Sequence, residues 1–558
     1  MQWFDVVVIL ATIIIVSVFG IWKTRSPVYT DASQFVVGSG ASAFSVGLSV
    51  ASGFISSISL LGFPSEVFYN GAMIGWYLVM YTISFPIVAY VFLPVIYNLR
   101  LTSAYEYFQL RFNRTCRTVA SLLFCTEIIF YNAVALYAPS LAISSLFDIS
   151  VLSSIIMTAL LSSAYISLGG AKAGIYTSAV QMLVIFLAMT LVVVLSLWKE
   201  DIGVIYKNVV DGHRLDIFDF RVDPRIRHSV PSLLIGGTGT ILALFAANQM
   251  SLQKYMSMPT LQSAQKVVLL NIPFNFFILS MYLVIGFVIF GVYHDCIPVL
   301  SNKNEILPFY VLDRLSSYPG MTGLFSVAIY SAGISTLSST FAAANAVFIE
   351  DIVTPMRILL GLPPLRDEQS KKIMRYFPIL LALLEILLAY SCTYFGSFIL
   401  QLAFSIFGIV GGPVLGCFVL GILVPFVRDR AASVAIIMST LTSFGTAIVA
   451  LTNRVGPVPL PLNTQCLNES FSYAISDLSV MNTVTDIHGW SIMQFFRLSY
   501  QYYSFIGVIV SLFVGISVQL VLGPENTPVD PRLLSPLVVR NKTVPVPETV
   551  ELPIIMES

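Results

Sequence analysis

About thirteen stretches of roughly 18–28 mostly apolar residues run along this chain, separated by charged or Pro/Gly-rich connections. Their approximate limits are 4–22, 44–66, 73–97, 119–146, 150–168, 174–197, 231–252, 267–292, 321–349, 376–393, 396–426, 432–452 and 502–522. At a rise of about 1.5 Å per residue, a helix of that length crosses a hydrocarbon core ~30 Å thick. In lipid only helices and closed barrels satisfy every backbone polar group, and continuous apolarity is not the alternation of a barrel strand. Composition agrees: 57% of the 558 residues are hydrophobic and 10% charged, with mean hydropathy +0.86, too little polar surface to coat a soluble protein. The expected fold is an all-α polytopic membrane protein.

Lysine and arginine set the expected orientation. The short connections after helices 1, 3, 5, 7, 9 and 11 carry residues such as Lys23, Arg25, Arg100, Arg117, Lys172, Lys254, Arg357, Arg375 and Arg428, and the short connections on the other side carry none. By the positive-inside rule the first set is cytoplasmic, the N-terminus is outside, and the tail from about Gly523 is inside. Residues 1–22 lack a basic n-region and read as a first span, not a cleaved signal. Cys296 and Cys466 are then the only cysteines in outward loops, where they are expected to form a disulfide. Asn468 begins the one outward glycosylation sequon.

Two segments break the apolar pattern in mid-membrane. SVASGFISSIS, residues 49–59, places five serines and a glycine in the second span; LLIGGTGTILAL places Gly236, Gly237, Thr238, Gly239 and Thr240 in the seventh. Serine and glycine offer the backbone alternatives to the helical ladder, and small residues also let two helices pack closely. Paired interruptions five helices apart are a mark of secondary transporters built from inverted repeats, with the site near the midplane. The expected units are 1–43, a first helix and cytoplasmic loop; 44–197, the first five-helix repeat; 198–230, an outer loop; 231–426, the second repeat; 427–522, two peripheral helices with outer loop 453–501; and 523–558, a disordered tail. There is no phosphate loop and no paired His/Cys ligand set, and His213, His228, His294 and His488 all fall in outward loops.

At ASGFISSISLLGFPSE (51–66), SLGGAKAGIYTSAVQ (167–181), NQMSLQKY (248–255), SAGISTLSSTFAAANAVFIEDI (331–352) and LQLAFSIFGIVGGPVLGCFVLGILVPF (400–426) the chain resembles the sodium/solute symporter family. It is most similar to the branch of multivitamin, monocarboxylate and iodide transporters. The resemblance implies a five-plus-five inverted-repeat, LeuT-like core and sodium-coupled uptake by alternating access, with no cofactor and with sodium as co-substrate and sole metal ion. It places sodium between carbonyls near Ser49 and Ser52, the carbonyl near Ala332, and the hydroxyls of Ser335 and Thr336, oxygen ligands of the kind a hard cation takes. Two departures stand out. In the segment Tyr176, Thr177, Ser178, Gln181 a serine replaces the family's carboxylate at the sodium site, and Ala342 replaces its asparagine.

Glu127 stands where relatives look to have glutamine and is a candidate proton site, since an ionisable group at membrane depth is a functional candidate by default. Glu385 is a second such group. Ser56, Ser59, Tyr131, Thr238, Gln249 and Gln401 are candidates to line a substrate cavity, and their donors suit a small organic anion, either a monocarboxylate or a vitamin-like acid. A proton-coupled or uncoupled carrier of the same fold and a non-transporting substrate sensor are the alternatives. An enzyme is not expected, because no intramembrane acid–base pair or activated nucleophile is evident.

Overall fold

The computed structural model describes residues 3–24, 41–147, 149–300, 302–394, 399–452, 460, 498–524 and 528–539. Fourteen helices organise them: α1 Trp3–Thr24, α2 Ala43–Phe54, α3 Ser57–Asn70, α4 Ala72–Leu99, α5 Arg114–Phe147, α6 Val151–Lys199, α7 Ser232–Ala246, α8 Gln249–Met256, α9 Leu261–Val292, α10 Met321–Leu359, α11 Asp367–Tyr394, α12 Ile399–Leu423, α13 Asp429–Thr452 and α14 Tyr502–Leu522. Among the described residues nine helices are long and apolar enough to cross a membrane, or eleven when the bent pairs α2/α3 and α7/α8 each count as one span. The expected thirteen is reached only by adding two shorter apolar stretches, Trp3–Val16 and Val151–Ser163. Residues 150–168 and 174–197, expected as separate spans, form one backbone run of 49 residues in α6.

The outward faces are apolar. Ile14 and Val18 on α1, Leu187 and Val194 on α6, Leu387 on α11 and Phe513 and Val521 on α14 are all exposed. Serines, asparagines and single charges instead fill the interior, as expected where the surrounding solvent is lipid. One such charge, Asp5, sits under the N-terminus of α10, where its Oδ1 accepts from the Gly323 amide at 3.1 Å.

The first break lies where the serines suggest. α2 ends at Phe54 and α3 starts at Ser57, with a 60° bend between them. Ser52 Oγ donates back to the Ser49 carbonyl at 3.0 Å, and Ser59 Oγ to the Ser56 carbonyl at 2.7 Å, so hydroxyls take over backbone acceptors on both sides of the bend.

The second break is not at GGTGT. The helix runs through those residues, and the 48° bend falls between Ala246 and Gln249. Asn248 makes it: its Oδ1 accepts from the Met250 amide at 2.9 Å, and Ser251 Oγ donates to the Leu244 carbonyl at 2.7 Å across the gap. The glycines of α7 serve close packing instead. A Cβ on Gly236 would lie 2.5 Å from the Gln501 carbonyl oxygen, and one on Gly237 would collide with the Met80 side chain. A similar seam joins α12 to α14, where a Cβ on Gly412 would lie 2.7 Å from the Ser504 carbonyl oxygen and one on Gly416 2.5 Å from Ser511 Cβ.

Candidate functional site

Five expected sodium ligands come together where the end of α2 meets the middle of α10. Ser335 Oγ donates to the Ser52 carbonyl at 2.9 Å and to the Ala332 carbonyl at 3.1 Å; Thr336 Oγ1 reaches the Ser52 carbonyl at 3.4 Å. The Ser49 carbonyl joins the group through Ser52 Oγ. All five residues are fully buried. The bend frees carbonyls at the C-terminal end of α2, the negative end of its dipole, so the cluster is suited to a cation. Ser178 and Gln181 are buried on α6, which packs against both α2 and α10, and Ser178 Oγ has no hydrogen-bond partner among the described residues.

One further group occupies this cluster. Lys254 of α8 donates from Nζ to the Ser49 carbonyl at 2.6 Å and to Ser339 Oγ at 2.9 Å. Lys254, expected from the sequence as a cytoplasmic loop charge, is instead a buried helical residue.

Beside the first bend is a cavity of about 50 Å³. Ser56, Ser59 and Tyr131 line it, with Phe54, Phe63, Phe404, Phe407, Asn275 and Tyr282 among the other walls. Thr238, Gln249 and Gln401 do not. Among the described residues Thr238 Oγ1 is buried without a hydrogen-bond partner. Gln249 accepts from the Ala104 amide at 2.7 Å and donates to the Thr102 carbonyl at 2.8 Å, tying α8 to the turn before Glu106. Gln401 accepts from Arg227 Nη1 at 2.5 Å.

That arginine belongs to a cluster the sequence did not reveal. Glu66 of α3 takes both Arg227 Nε, at 2.7 Å, and Nη2, at 2.8 Å, in a buried bidentate pair, and Asn70 also donates to it. Beside the pair, His228 Nε2 lies 2.8 Å from Tyr500 Oη. Burial pushes the His228 imidazole down to about 4. A second cluster lies around Arg117, which binds Asp351 through Nε at 2.7 Å, while Ser103 and Ser121 donate to the same carboxylate at 2.5 and 2.8 Å. Nearby, burial raises Glu106 to about 7 against the opposing pull of Arg117.

Glu127 is fully buried on α5 and accepts from Asn248 Nδ2 at 2.5 Å, at the second bend. Glu385 accepts from Asn132 at 2.8 Å. Among the described residues no group of three or more His, Cys, Asp or Glu could hold a resident metal. Cys116, Cys125, Cys392 and Cys417 are free thiols and Cys296 is disulfide-bonded; Cys466 and Asn468 lie outside the described residues.

Residues 35–439 match the model of the sodium:solute symporter family. The chain belongs to that family. Its members are transporters, not enzymes, and the expected resemblance is borne out along the chain. Sodium-coupled monocarboxylate transporter 1 of Mus musculus is 32% identical over 521 residues, covering 90% of this chain and 84% of its own length. Sodium-coupled monocarboxylate transporter 2 of Homo sapiens is 31% identical, covering 96% and 86%. A putative sodium-dependent multivitamin transporter of Drosophila melanogaster is 30% identical, covering 84% and 78%. The substrate-bound, outward-open structure of a sodium-coupled sialic acid symporter superposes with TM-score 0.74 at 22% identity, covering 94% of this chain and 99% of the other, which is a likeness of fold. This family member is thus a multi-pass helical membrane protein with a symporter's architecture.

Proposed function

We propose that the protein is a plasma-membrane symporter that couples sodium to the import of a small organic anion, with a short monocarboxylate as the favoured class. The observation that carries this reading is the Ser49–Ser52–Ala332–Ser335–Thr336 oxygen cluster, set at the same bend whose other side opens on the cavity. Cation and solute would then be read by one bent helix, so occupancy of either biases the same element. Ser56 and Tyr131 bring hydroxyl donors for the carboxylate, Ser59 can join them by turning from the Ser56 carbonyl, and the N-terminus of α3 adds its positive dipole end. The monocarboxylate transporters among its relatives point the same way.

Uptake of a labelled short monocarboxylate in sodium and in choline medium tests the reading. Uptake should need sodium and lose that need in Ser335→Ala/Thr336→Ala, because too few oxygens would remain to replace the ion's hydration shell. Ser178→Asp should raise sodium affinity by adding an opposite charge on a helix packed against the site. Equal uptake in the two media would overturn sodium coupling.

A proton-coupled reading has one observation in its favour: Glu127 is a buried carboxyl bonded to Asn248, the residue that makes the second bend. It requires uptake driven by a pH gradient in choline medium and abolished by Glu127→Gln.

A further inference from the structure

We propose that the Lys254 ammonium is a tethered competitor of sodium: the Ser49 carbonyl takes either the ammonium or the ion, so the ammonium has to leave when sodium enters. The proposal rests on the sodium-site reading above and adds a residue to it.

Three observations support it. Lys254 Nζ lies 2.6 Å from the Ser49 carbonyl oxygen, one of the five proposed ligands, and 2.9 Å from Ser339 Oγ, which itself donates to the Ser335 carbonyl at 2.8 Å. The chain makes room for it: a Cβ on Gly53 would lie 2.8 Å from Nζ, so any side chain there would displace the ammonium. Among the described residues no carboxylate lies within ion-pair distance of Lys254; its bonded partners are a carbonyl and a hydroxyl, the same ligand types that suit sodium.

The rest is electrostatics. A sodium ion on the Ser49 carbonyl would sit within a few ångströms of Nζ, and like unit charges at ~4 Å repel appreciably even in a partly wet interior. The two cations are therefore alternatives. Relative to the family pattern this site has lost an anion at Ser178, and it also holds a lysine's charge directly on a ligand; both features weaken sodium. Lys254 also links the two bent helices, since it is carried on α8 while its acceptors lie on α2 and α10. Its departure on sodium entry would free the inner half of one repeat from the other.

The experiment is sodium-dependent thermal stabilisation of the purified full-length protein, read as the sodium concentration giving half the shift. Lys254→Met removes the charge and keeps the length; Lys254→Gln is a second neutral variant should the first fold poorly; Lys254→Arg keeps the charge. The neutral variants should need about tenfold less sodium than wild type, whereas Lys254→Arg should stay near it. An unchanged or higher requirement in the neutral variants would overturn the competition while leaving the sodium site standing. No sodium response in wild type and neutral variants alike, matching Ser335→Ala/Thr336→Ala, would overturn the sodium site and the competition together.

Discussion

His228 shares its buried pocket with Arg227 and Glu66, and its ring is neutral at neutral pH because burial holds it down to about 4. Between that value and the ordinary imidazole value of about 6.5, an unfolded chain takes up a proton that the folded one refuses. More protons on the unfolded side means stability that rises with pH across this window and is flat above it. Between pH 7.5 and pH 5 this single group should therefore cost the folded protein at most ~2 kcal/mol, a contribution of opposite sign to that of the raised Glu106 carboxyl and read by comparing wild type with a His228 variant. His228→Gln should remove that contribution. A variant with an unaltered pH profile would show that the imidazole does not titrate in this window. Little of this was legible beforehand: the sequence places His228 in an outer loop and nothing in its neighbours signals that Glu66, far away in the chain, lies under it.

At the level of helices, the two glycine-bearing interruptions looked alike in sequence and have different jobs. The serines of 49–59 do mark a bend, because each hydroxyl can take over a backbone acceptor next to it. The glycines of GGTGT mark a close crossing with α14, and the second bend belongs to Asn248, a residue recognisable as a helix cap only once the helix is known to stop there. Periodicity gives span positions, and glycine reports either flexibility or proximity; only the neighbour decides which. The α12–α14 seam should accordingly tolerate no side chain. Gly412→Leu is expected to cost ~1–3 kcal/mol of stability through overpacking, against almost no change for Gly445→Ala, where among the described residues no atom outside its own helix turn lies within 4 Å of the added carbon. Thermal unfolding of both variants in one detergent checks this, and a Gly412→Leu protein as stable as wild type would mean the seam can open.

For the whole molecule, the proposed orientation puts the N-terminus and the 293–320 loop on the outside, and the bond from Asp5 to the Gly323 amide is consistent with the two lying at one end. The same orientation exposes Asn468 and lets Cys296 pair with Cys466. A glycan should then be lost in Asn468→Gln and unaffected by Asn541→Gln, and thiol reagents on intact cells should reach neither loop cysteine until reductant is added. Modification at Asn541 would reverse the topology. The family and the spans could be read from the chain because they depend on local composition and short motifs; the Glu66–Arg227 and Arg117–Asp351 clusters could not, since each pairs residues from distant segments.

The aromatic wall of the cavity has a consequence for leakage. Phe54, Phe63, Phe404 and Phe407 give the cavity lining four apolar rings, so a water column along them would have to wet a surface that offers it no hydrogen bonds. Dryness along those rings, more than tightness, would then keep ions from slipping through between turnovers, and a further hydroxyl among them, as in Phe404→Ser, is expected to raise uncoupled current.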